Sequence, residues 1–96
     1  MNHEIEIFEM QAQLCQSLSH AVRLQIIHTL KEGPKPVKEI ATTVNCSQSS
    51  VSRHLSILRS TGLLSTQRKG AEIYYEITNP KLVAVCEMMR AILSER

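Results

Sequence analysis

The chain has few aromatic residues: one phenylalanine, two tyrosines and no tryptophan among its 96 residues. A hydrophobic core must therefore consist of aliphatic side chains. We expect one small domain, residues 1–96, because domains commonly have about 100–150 residues. So short a chain leaves much of its surface unburied and often gains core by dimerising. No apolar run approaches the roughly 18 residues that a membrane helix needs. The N-terminal MNHEIEIFEM also lacks the basic start and apolar centre of a signal peptide, which predicts a cytoplasmic protein without membrane contact.

Aspartate is absent from the chain, as are a glycine-rich phosphate loop and any pair of carboxylates in an apolar setting. These absences argue against an enzyme and against a bound cofactor. The three cysteines, Cys15, Cys46 and Cys86, lie far apart and form no CxxC pair. We therefore expect free thiols and no metal site.

Negative charge is missing from one long segment. Residues 40–71 contain no acidic residue but include Arg53, Arg59, Arg68 and Lys69, although the net charge of the chain is only +2. An acid-free basic segment favours contact with a polyanion. The alternative is a solvated surface on which charges have segregated by chance.

Apolar residues recur at helical spacing in the first half of the chain. Residues 5–15 predict a helix with a broad apolar side, and a four-residue repeat in 22–30 predicts a second helix, for which Ser19 is a suitable N-cap. Residues 37–44 repeat apolar side chains at i, i+3, i+4 and i+7, which predicts a short amphipathic helix. A tight turn at 45–47 separates it from a fourth helix.

The stretch SQSSVSRHLSIL, residues 47–58, combines a buried stripe with a polar surface. Val51, Leu55 and Leu58 have the spacing of one buried helix face, whereas serine, a mediocre helix former, dominates the rest. Short hydroxyls let a helix approach DNA closely, which indicates the recognition helix of a helix-turn-helix. The candidate DNA-binding residues are Ser47, Gln48, Ser49, Ser50, Ser52, Arg53, His54 and Arg59.

The members of this set differ in the contact that their chemistry suits. Gln48 and Arg53 have the side chains that pair with adenine and guanine. The serines suit phosphates equally well, and Ser47 is also a suitable N-cap. His54 has two open roles, contact with DNA or a hydrogen bond within the protein, and Arg59 either contacts a phosphate or forms a surface ion pair. The alternative for the whole set is an ordinary solvent-facing helix side.

Two extended segments follow, LLSTQR and AEIYYEI, on either side of Lys69-Gly70, which predicts a β-hairpin with its two-residue turn at those positions. Directly after a helix-turn-helix, such a hairpin has the place of a wing. Tyr74 and Tyr75 suit packing within the sheet. A last helix after Asn79-Pro80 completes the order α-α-α-α-β-β-α, mainly α with a β-hairpin wing: a winged helix-turn-helix. The candidate DNA-contacting residues at the tip of the wing are Gln67, Arg68 and Lys69.

Three segments together resemble the ArsR family, also called ArsR/SmtB, of bacterial and archaeal transcriptional repressors. They are LSHAVRLQIIHTL (18–30), VKEIATTVNCSQSSVSRHLSILRSTGLL (37–64) and RKGAEIYYEI (68–77), of which the middle one is the most specific. The resemblance implies a homodimer held by the first and last helices, a double-stranded DNA operator with two-fold symmetry, and an inducer that releases the DNA. The apolar residues that suit this dimer interface are Ile5, Phe8, Ala12, Cys15, Leu82, Val85, Cys86, Met89 and Leu93.

The resemblance identifies no inducer, because the sensor residues of the family are missing. The helix VKEIATTV lacks the CxC pair of one metal site, and the last helix has neither the Asp nor the His of another. Where a third branch of the family has sensor cysteines, this chain has His28 and Ser94. A thiol- or soft-metal-responsive repressor that uses Cys15, Cys46 or Cys86 stays open as an alternative.

Two further alternatives are a constitutive repressor without a small-molecule inducer and a winged helix used only for protein association. The association module predicts an apolar or acidic recognition face. SQSSVSRH and the basic wing tip argue against it.

Overall fold

The computed structural model describes residues 3–96, in which helices predominate over short strands. Five helices are present there: α1 (His3–Ser17), α2 (Ala21–Leu30), α3 (Val37–Val44), α4 (Gln48–Ser60) and α5 (Lys81–Ser94). The strands β1 (Lys35–Pro36), β2 (Leu64–Lys69) and β3 (Glu72–Ile77) form one antiparallel sheet in the order β1-β3-β2. The predicted order is confirmed, with β1 as an addition. None of these five helices is long and apolar enough to cross a membrane.

The strand β1 has no signal in the sequence, since it is two residues long and one of them is a proline. Lys35 pairs with Tyr75, and Pro36 pairs with Tyr74 of β3. A proline donates no backbone hydrogen bond, so it is tolerated at the edge of a sheet, where β1 lies. The pairing ties the residues just before α3 to the wing.

The core is aliphatic, as the shortage of aromatic residues predicts. Its fully buried side chains include Ile26 and Ile27 of α2, Ile40 of α3 and Leu55 of α4. Tyr75 of β3 is partly buried against this cluster. Burying one such aliphatic side chain contributes about 1.5–3 kcal/mol. The core therefore holds α2, α3 and α4 together as one unit, from which α4 presents its other side to solvent.

The start of α2 differs from the prediction. His20 is the N-cap: its backbone is extended, with φ −148° and ψ 130°, and its Nδ1 accepts a hydrogen bond from the Val22 N–H at 3.2 Å. The Ser19 hydroxyl donates to the Gln16 carbonyl at 2.6 Å and so serves the end of α1. The prediction of Ser19 as the cap is wrong, because two helix ends compete for one hydroxyl and the end of α1 takes it.

The hairpin turn lies one residue later than predicted. Lys69 is the last residue of β2 and pairs with Glu72, so the two loop residues are Gly70 and Ala71. Gly70 has φ +63°, a conformation that costs glycine nothing. A two-residue loop that begins with a positive φ matches the twist of hairpin strands. Lys69 therefore lies on a strand and has a defined face.

Candidate DNA-binding surface

A tight turn joins α3 to α4. Asn45 ends α3 in the left-handed region, with φ 57° and ψ 48°, which asparagine tolerates better than most residues. The Cys46 N–H donates to the Ala41 carbonyl at 3.1 Å. Ser47 then caps α4 by accepting from the Ser50 N–H at 3.1 Å, which confirms the predicted N-cap. These local bonds fix the start of α4 beside α3.

The outward face of α4 lies opposite its buried stripe. The predicted stripe is confirmed, since its three residues have no exposed surface. By their spacing, Ser49, Arg53 and Ser56 share the opposite face, and all three are exposed. No acidic residue lies on α4. Ser56 is missing from the predicted set, although its helical spacing from Ser49 and Arg53 is a signal that identifies it.

The predicted serines of α4 are not equivalent. The Ser47 oxygen is occupied by the cap, and it lies 3.3 Å from the Ser49 hydroxyl oxygen. Ser50 is half-buried. Ser49 and Ser52 are exposed and do not cap the helix, so these two hydroxyls are the better placed for an external partner.

One edge of the outward face turns toward the wing. Gln48, Ser52 and Arg59 lie along this edge by their helical spacing, and all are exposed. Gln48 lines a hollow of about 360 Å³ together with Ile73 and Tyr75 of β3. Gln48 is therefore within reach of a ligand that contacts both α4 and the wing.

His54 lies on the other edge of α4, against the start of α2. Its ring centroid is 4.4 Å from that of His20, with the two rings tilted by 52°. Its Nδ1 is buried and makes no hydrogen bond to any residue in 3–96, so the predicted internal hydrogen bond is not made by this atom. Burial, and then the positive charge of His20, Arg23 and Arg53, hold the pKa of His54 below its ordinary value.

The wing carries its predicted contact residues on two faces. Gln67 pairs with Tyr74 and Lys69 with Glu72, so these four side chains share one face, whereas Arg68 lies on the other. The Lys69 Nζ is 5.2 Å from the centroid of the Tyr74 ring, within the range of a cation–π contact. Gln67, Arg68 and Lys69 are all exposed.

The apolar side of α1 is not covered within the subunit. Phe8 is 64% exposed and Ile5 is 54% exposed, and the buried residue of this helix is Ser17, at its end. Ala12 and Cys15 are exposed as well. The apolar side of α1 therefore stays exposed to solvent within residues 3–96.

The predicted apolar stripe of α5 divides between two environments. Cys86 is only 2% exposed and Leu82 is partly buried, and both pack against the core of their own subunit. Val85, Met89 and Leu93 stay exposed. Leu82 and Cys86 therefore do not lie on an open face. The large exposed apolar residues of α1 and α5 outside the predicted interface set are Ile7, Met10, Leu14, Met88 and Ile92.

The three cysteines have different environments. Cys15 is exposed, Cys46 is partly buried with its thiol 3.5 Å from the Val44 carbonyl oxygen, and Cys86 is buried. Burial raises the pKa of the Cys86 thiol, against the effect of the nearby Arg90. Within residues 3–96, no group of three or more His, Cys, Asp or Glu side chains is arranged to hold a metal ion.

At the position of one sensor cysteine in the family, His28 lies next to α5. Its Nδ1 is 3.4 Å from Arg90 Nη2, and both residues line a hollow of about 390 Å³ that Leu24 and Val44 also border. The hollow lies between α2, the end of α3 and α5.

Comparison with known proteins agrees with this architecture. The sequence model described as bacterial regulatory protein, arsR family, matches residues 20–66. The transcriptional repressor PagR of Bacillus anthracis is 34% identical over 95 residues, which cover 96% of this chain and 95% of PagR.

Solved structures show the same winged fold. The homodimeric winged helix-turn-helix DNA-binding domain Mb0332 of Mycobacterium bovis superposes with a TM-score of 0.87 at 25% identity, over 99% of this chain and 88% of that one. The transcriptional repressor BigR of Xylella fastidiosa superposes with a TM-score of 0.83 at 31% identity, over 96% of each chain. The chain therefore belongs to the ArsR family of bacterial regulatory proteins.

Proposed function

We propose that this protein is a transcriptional repressor that binds double-stranded DNA as a homodimer, at an operator with two-fold symmetry. The observation that carries the proposal is the outward face of α4. Ser49, Arg53 and Ser56 are exposed there, opposite a fully buried stripe, on a helix without acidic residues. This face is small, polar and basic, as a helix in the major groove must be. Its family relatives PagR and BigR are repressors.

In the proposed complex, α4 of each subunit lies in a major groove. Arg53 donates a bidentate pair of hydrogen bonds to guanine, and Gln48 pairs with adenine at the edge that faces the wing. The other polar groups contact phosphates and set the register of the helix. These proposed phosphate contacts are Ser47, Ser49, Ser50, Ser52, Ser56 and Arg59 of the helix segment and Gln67, Arg68 and Lys69 of the wing.

The dimer is proposed to form through the exposed apolar residues of α1 and through those of α5 that do not pack against the core, within residues 3–96 of one subunit. A two-fold axis places the same surface on both sides of the interface. Each subunit therefore contributes the same exposed apolar residues, which include Phe8 and Ile5 of α1 and Val85 and Met89 of α5. The two recognition helices then meet half-sites about 34 Å apart, one helical turn of DNA, or a multiple of it.

A regulator of this kind acts by binding, so we propose no catalytic role for the chain. Its proposed site of action is the bacterial chromosome, and we therefore propose a cytoplasmic location. Thiol or metal control is not part of the proposal, since the buried Cys86, the partly buried Cys46 and the exposed Cys15 form no common site in the described chain.

The test is DNA binding by fluorescence anisotropy, with a labelled fragment from just upstream of the protein's own gene. We expect specific affinity in the range typical of such regulators, a Kd of about 10⁻⁸–10⁻¹¹ M at physiological salt, and at least about 10³-fold weaker binding to a scrambled duplex. Footprinting is expected to protect two related half-sites. Absence of binding to any duplex at low salt would overturn the proposal and favour a protein-association module.

A further inference from the structure

Two histidines meet where the start of α2 packs against α4, and two arginines act on His54 through their charge. His20 and Arg23 belong to the α2 side, and Arg53 and His54 belong to α4. The two imidazole rings are in contact, with centroids 4.4 Å apart. No sequence pattern relates His20 and Arg23 to Arg53 and His54, because helical spacing relates only residues on the same helix.

Two buried polar atoms of this cluster lack a hydrogen-bond partner in residues 3–96. His54 Nδ1 and Arg23 Nε are buried, and neither makes a hydrogen bond to any residue in 3–96. His20 Nδ1 already has a partner, since it accepts the capping hydrogen bond from the Val22 N–H. Buried polar groups without partners are rare in native proteins and call for an explanation.

Within residues 3–96, every charge that acts on the pKa of His54 is positive. The charged groups that act on His54 are His20 and Arg23 from the α2 side and Arg53 from its own helix, and all three favour its neutral form. The neighbouring hollow, which Arg23 lines, is bordered on the α1 side by the uncharged Gln13 and Gln16. Together with burial, this repulsion holds the pKa of His54 below its ordinary value in the free protein. An anion is the ligand whose charge complements such a cluster.

We propose that His20, Arg23 and His54 form a binding site for one phosphate of the DNA backbone, and that this site takes up a proton when DNA binds. The inference rests on the proposed function. His54 lies on the edge of α4 that borders the outward face with Arg53, so a phosphate at the border of the groove that this face enters lies beside it. The phosphate supplies the absent negative charge and favours the imidazolium form, which donates a hydrogen bond from both ring nitrogens.

Proton uptake has a defined thermodynamic consequence. Since the bound state holds more protons than the free protein, operator affinity must rise as the pH falls. If each subunit takes up one proton, the operator affinity of the dimer can change by at most about a hundredfold per pH unit. We expect a rise of roughly tenfold between pH 8 and pH 6, because only part of the population changes its protonation state over this range.

The experiment measures operator affinity by anisotropy between pH 6 and pH 8 at constant ionic strength. His54→Gln removes the titrating imidazole, and His20→Asn removes the ring that contacts it while keeping a good N-cap at α2. His28→Asn is the matched control, since it removes a histidine that lies against α5, away from the cluster. We expect a reduced pH dependence in the first two variants and the wild-type dependence in the control. Calorimetry in buffers of different ionisation enthalpy counts the protons directly.

The outcomes separate this inference from the proposed function. Tight wild-type binding with no pH dependence and no proton uptake overturns the phosphate site and leaves the repressor intact. The same holds if the pH dependence persists in both His54→Gln and His20→Asn. Absence of operator binding at every pH overturns the proposed function itself. Circular dichroism of each variant checks the fold, and either variant alone suffices if the other does not fold.

Discussion

Arg53 is the side chain on which base recognition depends most directly in the proposed complex. It is exposed between Ser49 and Ser56 on the outward face of α4, and no carboxylate on that helix competes for its guanidinium. A planar guanidinium donates two parallel hydrogen bonds and so distinguishes guanine from other bases, whereas a serine hydroxyl bonds bases and phosphates with little preference.

Replacing Arg53 by alanine is therefore expected to weaken operator binding by about 1–3 kcal/mol and to relax the preference for one base pair in each half-site. Anisotropy titrations against the operator and against single-base variants measure both effects. Arg59→Ala serves as the comparison, since Arg59 lies on the edge of α4 and its removal is expected to weaken binding to all sequences alike. Unchanged operator affinity in Arg53→Ala would exclude it as a base-reading residue.

His54 also makes the stability of the free protein depend on pH. Its pKa is lower in the folded protein than the ordinary value of 6.5. In the interval below 6.5, the unfolded chain therefore binds more protons than the native state, and the free energy of unfolding falls as the pH falls. Above pH 6.5 the buried, neutral His54 does not lower the free energy of unfolding. As the pH drops from 6.5 toward the lowered pKa, His54 destabilises the native state more and more.

We accordingly expect urea midpoints to decrease from pH 7.5 to pH 5.5 at fixed protein concentration, and to decrease less in His54→Gln. The protein concentration is held constant because dissociation of a dimer would contribute to the same midpoint. An equal decrease in the wild type and in His54→Gln would contradict the assignment of this effect to His54.

The wing presents different chemistry on its two faces, which the sequence alone treats as one basic tip. Lys69 lies over the Tyr74 ring and opposite Glu72, whereas Arg68 points to the other face beside Ile73. Because an exposed lysine contributes to DNA binding as a point charge, its main effect is on the salt dependence of affinity.

Lys69→Ala is expected to reduce the slope of log affinity against log salt by about one for each phosphate that the lysine neutralises, with little change in sequence preference. Arg68→Ala tests the opposite face in the same way. If Lys69→Ala leaves the slope unchanged and Arg68→Ala reduces it, the face of the wing that carries Arg68 is the one that meets DNA.

Local signals in the sequence predict most elements correctly but not their limits. The stripe of α4 and the cap at Ser47 follow from spacing and side-chain chemistry, which act within a few residues. By contrast, β1 exists only because Lys35 and Pro36 meet Tyr75 and Tyr74 across the sheet. A pairing between distant segments leaves no periodic mark in a two-residue strand.

The proposed assembly of two subunits rests on apolar surface that residues 3–96 of one subunit leave exposed. Phe8 of α1 is 64% exposed and Met88 of α5 is 70% exposed, and neither contributes to the core of the subunit. A chain of this size gains stability by burying such faces against a second copy. Dimerisation also sets the distance between the two recognition helices, on which operator binding depends.

Phe8→Ser is expected to convert the dimer to monomer without unfolding the subunit. Burial of one phenylalanine contributes about 1.5–3 kcal/mol, and symmetry removes two, so the dimer dissociation constant should rise at least about 100-fold. Sedimentation equilibrium measures it. Ile73→Ser, which changes an exposed apolar residue of the wing, is the matched control and should stay dimeric. A Phe8→Ser protein that dimerises as tightly as the wild type would exclude α1 from the interface.

Local spacing and composition are enough to predict which segments form helices and the hairpin, which side chains of α4 are buried, and which family the chain resembles. The tertiary structure, in contrast, sets where each apolar stripe packs. On α5, Cys86 packs in the core whereas Met89 is exposed. The spacing of the residues shows that a helix face is apolar, but it does not show what covers that face. The contact between His20 and His54 is likewise a product of the packing of α2 against α4, which no local rule specifies.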